Sequence, residues 1–103
     1  MYIEKTERDS YQIKGQNGSI GSFHIRRLPA GIGKLERLQV SREVKPGHLL
    51  AVFELIQKYV KETDLRALLV ESHSETLDFL LQHQSFQRDS VESGVWIYEV
   101  NNK

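Results

Sequence analysis

The sequence predicts a mixed α/β domain: strands and turns in the first half, helices alternating with strands in the second. Three observations carry this. Both prolines and six of the seven glycines fall before residue 48. After Pro46-Gly47 the apolar spacing changes from rough alternation to a helical stripe at 49, 52, 53, 56 and 60. Two later runs, Ala67-Leu68-Leu69-Val70 and Val95-Trp96-Ile97-Tyr98-Glu99-Val100, have strand composition.

Taken in order, residues 11–14 form a weakly alternating strand, followed by Gly15-Gln16-Asn17-Gly18. Asn-Gly supplies the positive φ values of a tight hairpin. A long strand follows over 19–28. Ile20 and Phe23 are three residues apart with Gly21 between them, which predicts a bulge. Pro29–Gly33 is a loop, and 34–41 is the next strand, with imperfect alternation of Leu35, Leu38 and Val40. Pro46 suits the first turn of a helix, where a missing N–H costs nothing, and the helix should end near Lys61–Thr63. The apolar run 67–70 reads as a strand covered on both faces. Ser72 and Glu75 have the spacing of a capping box for a second helix reaching about Gln84, with Leu77, Leu80 and Leu81 on one face. Residues 86–90 should pair with 95–100 through the turn 91–94. The order is β-β-β-α-β-α-β-β, with an extra strand at Tyr2–Lys5 as an addition. The strand–helix–strand from 34 to 71 should be a right-handed crossover.

With 103 residues the chain is one domain, 1–103, large enough for its own core. Absence of cysteine excludes a disulfide framework, thiolate zinc sites and Cys nucleophiles. The longest apolar run, Leu49–Phe53, is far short of the roughly 20 residues that span a bilayer, so a soluble cytoplasmic protein with no membrane partner is expected. The 14 basic and 14 acidic side chains cancel, but residues 1–46 carry nine basic against five acidic and residues 47–103 five against nine. The basic band Arg26, Arg27, Lys34, Arg37, Arg42 and Lys45 is a candidate anion or nucleic-acid surface. It lacks the interleaved aromatics of single-strand binders, which argues against nucleic acid. Of His24, His48, His73 and His83, no two have the i, i+4 spacing of a helical metal pair, so no metal site is assigned. Gly15-x-x-Gly18-x-x-Gly21 precedes a strand, not a helix, and is a hairpin rather than a phosphate loop.

Leu38–Ile56 followed by Leu68–Phe86 resembles the GNAT superfamily of acyl-CoA-dependent N-acetyltransferases. In that family a strand ends in Val and leads through an Arg/Gln-x-x-Gly-x-Gly/Ala loop into a helix. The loop amides there cradle the pyrophosphate of coenzyme A, since unpaired N–H groups and the helix dipole attract an anion. The resemblance implies a GNAT-like mixed sheet with helices, lacking the family's first two helices. It also implies a candidate acetyl-CoA site at Val40, Lys45, Pro46, Gly47, His48, Leu49 and Leu50, with Ser74 at the family's Asn position. His48 and Leu50 stand where the two glycines belong, and Gly47 comes one residue early. Leu81 replaces the Tyr that often serves as general acid, and Ser85-Phe86 replaces Gly-Phe. Glu36 is the one candidate base on its strand, and no catalytic residue is assigned. The reading is therefore a degenerate, non-catalytic GNAT-fold module binding a small ligand or a protein, as a homodimer. An active acetyl-CoA-dependent N-acetyltransferase and an anion-binding band are the alternatives.

Overall fold

Antiparallel pairing starts at the first residues. The computed structural model describes residues 1–42 and 44–100, with the side chain of Pro46 outside the description. The strands β1 (Tyr2–Glu7), β2 (Ser10–Gly15), β3 (Gly18–Leu28) and β4 (Ile32–Val40) form a meander. Helix α1 (Pro46–Lys61) leads to β5 (Ala67–Glu71), and α2 (Glu75–His83) leads to β6 (Gln87–Arg88) and β7 (Val95–Glu99). The seven-stranded sheet has the order β1-β2-β3-β4-β5-β7-β6, with β4 and β5 parallel. The expected order is present, and the added first strand runs two residues further than predicted.

The predicted irregularities have specific sites. Ile13 pairs with Gly21 but Lys14 with Ser19, so Ile20 is the extra residue of a bulge. A second shift separates His24↔Glu36 from Ser22↔Gln39, and there Arg37 adopts φ 54°. This explains the broken alternation of β4. The β2–β3 turn differs from expectation: its two loop residues are Gln16-Asn17, and Gly18 closes it with φ 116°.

Side chains paired across strands share a face. One face carries Tyr11, Ile13, Phe23, Ile25, Leu35, Leu68, Val70 and Trp96, all in one buried cluster. The α1 stripe closes over it: Val52, Ile56 and Val60 have no exposed surface and Phe53 only 1%. Burial of each such side chain stabilises the fold by about 1.5–3 kcal/mol. Tyr11 stacks on Phe23 with ring centroids 5.0 Å apart and meets Tyr59 edge-on. Burial, then the Tyr59 hydroxyl, pushes the Tyr11 hydroxyl far above its ordinary range, so it stays neutral.

Helix α2 lies on the same face. Its Leu81 is fully buried in that cluster, Phe86 meets the α1 residue Phe53, and Gln57 of α1 donates to the Gln84 carbonyl. The reason is handedness. Both β4–α1–β5 and β5–α2–β6 move the same way across the sheet, and right-handed crossovers put both helices on one side. The opposite face carries no helix among the described residues.

The predicted capping box does not form. Ser74, not Ser72, is the N-cap of α2, and its hydroxyl oxygen accepts from the Leu77 amide at 3.1 Å. Ser72 is instead buried beside Asp78, whose carboxylate accepts the Trp96 indole N–H at 2.9 Å. At its other end α2 closes with a Schellman arrangement: Phe86 N–H to Leu81 O at 3.0 Å and Ser85 N–H to Gln82 O at 3.3 Å. Ser85 sits at the left-handed position with φ 68°, where a Cβ is unfavourable. Ser85→Gly is expected to stabilise the fold by about 0.5–1 kcal/mol, read as a higher urea midpoint at unchanged slope.

Candidate functional site

Strands β4 and β5 pair only from Ile32↔Ala67 to Leu35↔Val70. Beyond that β4 follows β3 through its bulge to Val40, while β5 ends at Glu71 and turns into α2. The two strands therefore separate at their C-terminal ends, and both helices begin at that same end of the sheet. Ligands of open α/β sheets bind at such ends.

The predicted binding residues gather there. Val40 ends β4, half-buried and paired with Gly21. Lys45 is the N-cap of α1, exposed, with extended backbone and no side-chain cap hydrogen bond. Pro46 opens the helix, and its side chain lies outside the described residues. Gly47 and His48 are exposed, and a Cβ on Gly47 would meet nothing within 4 Å. The fold itself therefore does not require glycine there. The His48 amide is turned back onto the Lys45 carbonyl at 2.8 Å, which withdraws one donor, and Pro46 has none to give. Leu49 and Leu50 are half-buried. Ser74 follows β5 on the other side of the separation, with its hydroxyl oxygen already accepting from Leu77.

The same end of the sheet borders a groove of about 490 Å³ between the β2–β3 turn and α1. Met1, Ile20, Val44 and Ala51 give it apolar walls, and Ser19 and His48 lie among its polar lining. Sequence reasoning missed this groove, because nothing local links residue 1 to residue 51.

The basic band divides in two. Arg26 grips Glu36 with two bonds of 3.3 Å, Arg27 bonds Asp64 at 2.9 Å, and Lys34 pairs with Glu71 and lies 3.9 Å from Glu36. Arg37, Arg42 and Lys45 form no ion pair among the described residues, and they sit toward the α1 end of the sheet. The Lys34 ammonium holds the Glu71 carboxyl below its usual range, and the Arg27 guanidinium does the same to Asp64.

The residues weighed for proton transfer are held in the packing or in polar pairs. Leu81 is fully buried among apolar neighbours. It can neither donate nor accept a proton. Glu36 accepts two bonds from one arginine, one on each carboxylate oxygen. His24, opposite Glu36 on β3, has its Nδ1 3.4 Å from the Ser10 hydroxyl. Phe86 is a buried aromatic, packed on Phe53 and Tyr98.

No protein-family model matches the chain, and no curated protein matches it in sequence. Solved structures do match in fold. The ribosomal-protein-S18-alanine N-acetyltransferase of Escherichia coli superposes with a TM-score of 0.73 at 11% identity, over 94% of this chain and 72% of that one. The Campylobacter jejuni N-acetyltransferase PseH, solved with acetyl coenzyme A, gives 0.73 at 13% identity over 89% and 67%. An acetyltransferase of the GNAT family from Staphylococcus aureus gives 0.64 at 12% identity over 89% and 67%. The mixed sheet, the separating parallel strands and these likenesses agree: this chain has the GNAT fold.

Proposed function

We propose that this chain is a non-catalytic GNAT-fold module that binds a small ligand or a protein and acts as a homodimer in the cytoplasm. The observation that carries the reading is Leu81, an aliphatic side chain with no exposed surface, at the position where the resemblance puts the Tyr that often serves as general acid. The arginine-bound Glu36 supports it, since a base must be free to take a proton. A second reading, retained acyl-CoA binding, draws on the exposed start of α1 beside Lys45, Arg42 and Arg37. The nucleic-acid alternative has less support, because Arg26, Arg27 and Lys34 are held in ion pairs.

Thermal unfolding with about 1 mM acetyl-CoA, and AMP as control, separates the first two. A dissociation constant near 10 μM would stabilise the fold by about 2.7 kcal/mol through mass action. For a domain of this size that is a rise of roughly 10–20 °C. The expected result is no rise beyond the AMP control. A rise of that size overturns the loss of cofactor binding and calls for a screen of amine acceptors.

A further inference from the structure

We infer that the helix-free face of the sheet is the surface through which two copies of this chain pair. This inference rests on the homodimer reading above and adds the surface to it.

The register places five apolar side chains side by side on that face. Leu28 lies opposite Ile32, Ile32 opposite Ala67, and Leu69 opposite Ile97, while Ala67 and Leu69 are two apart on β5. All five are half-buried, and none belongs to the buried cluster or to the residues packed against it. The strip crosses four strands, β3, β4, β5 and β7, near the middle of the sheet. Its apolar surface remains half in water because both helices of the chain are committed to the other face.

Three features fit a second copy as the occupant. The first is charge. Beside the strip, Arg26 is paired with Glu36 and Lys34 with Glu71, so both signs are present and already neutralised within the chain. One exposed carboxylate, Glu99 opposite Ala67, stands at the end of the strip, where the rim of a face-to-face pair stays in water, whereas a polyanion or a strongly basic partner finds no one-signed surface to read. The net charge of zero adds no repulsion between copies. The second feature is shape. A sheet face fits another sheet face about 10 Å away with strands within about 30° of aligned. A strip laid along the two-fold axis then packs on its own counterpart, as an isologous interface requires. The third is area. The seven strands hold 44 residues, which at about 3.4 Å rise and about 4.8 Å spacing project about 700 Å². Side-chain relief raises that toward the roughly 800 Å² per partner of a stable interface.

The test uses the full chain at about 100 μM, where wild type is expected to sediment at twice 11.9 kDa. Leu69→Lys and Ile97→Lys, each placing a charge in the strip, are expected to weaken dimerisation at least tenfold with circular dichroism unchanged. Phe79→Ser, an exposed aromatic on α2 remote from the strip, is expected to leave it intact. Because the chain has no cysteine, Ala67→Cys gives a second readout: a short bismaleimide should link it into dimers, and Phe79→Cys should not link. A dimer that survives both lysine variants, or Ala67→Cys that does not cross-link, overturns the surface and leaves the homodimer standing. A wild-type monomer overturns both. Neither result bears on acetyl-CoA binding, which the thermal shift measures separately.

Discussion

Trp96→Ala is expected to be among the most damaging single substitutions, at about 3–5 kcal/mol, the usual range for a large buried aromatic. The indole is 3% exposed and does three things at once. It fills the core beside Val70, with which it pairs across β5 and β7. Its N–H donates to Asp78 of α2 at 2.9 Å, and the Arg88 guanidinium lies over its ring at 4.8 Å. A domain of this length has about 5–15 kcal/mol in all. The loss should therefore lower the melting temperature by on the order of 20 °C. A fall of only a few degrees would mean that α2 is held by Leu81 and Phe86 alone.

Trp96→Phe separates the hydrogen bond from the packing, and pH reads it. The Ser72 hydroxyl, then the Trp96 indole, hold the Asp78 carboxyl below its ordinary value, with Arg88 adding to the effect. A carboxyl with a depressed folded-state pKa contributes stability that is complete above its unfolded value of about 3.9 and is lost as pH falls through the lower folded value. In Trp96→Phe one donor is gone and the two values move together. The stability curve should therefore fall less steeply below about pH 4 than in wild type.

What the sequence revealed follows from how local each signal is. Helix α1 begins and ends where Pro46 and the stripe at 49, 52, 53, 56 and 60 place it, because cap and period lie in one stretch of chain. The bulge at Ile20 was visible as a spacing error beside a glycine. The choice between Ser72 and Ser74 as N-cap was not. It depends on Asp78 and Trp96, which bring Ser72 inward, and Trp96 is 24 residues from Ser72. The site was legible only in part for the same reason. The run Lys45–Leu50 could be placed at a helix start, but the basic band looked continuous in sequence. Only the register of β3 against β4 and the parallel register of β4 against β5 bring Glu36 to Arg26 and Glu71 to Lys34, leaving Arg37, Arg42 and Lys45 as the unpaired remainder among the described residues. The departures from the motif of the resembled family were readable, since Leu81 and the displaced glycine are identities. That Leu81 is wholly buried is a fact of packing.

Gly21→Ala tests the part of the scaffold that supports the end of β4, and it is expected to cost about 1–3 kcal/mol, the usual penalty for overfilling a packed site. Gly21 pairs with Ile13 on one side and Val40 on the other, beside the bulge at Ile20. A Cβ added there would lie 2.6 Å from the Gln39 carbonyl oxygen and 3.4 Å from the Val40 Cα. Both are backbone atoms, so no rotamer change relieves the contact, and β3 and β4 must move apart. Gly47→Ala is the matched control, because a Cβ there meets nothing within 4 Å and the backbone is already helical. It should be neutral or slightly stabilising. Urea unfolding of the two variants decides the matter. Equal midpoints would show that β4 yields at its end as easily as the open start of α1. A large loss confined to Gly21→Ala would show that Val40, the first residue of the candidate site, is held by β3 through a glycine that no other residue replaces without displacing that strand.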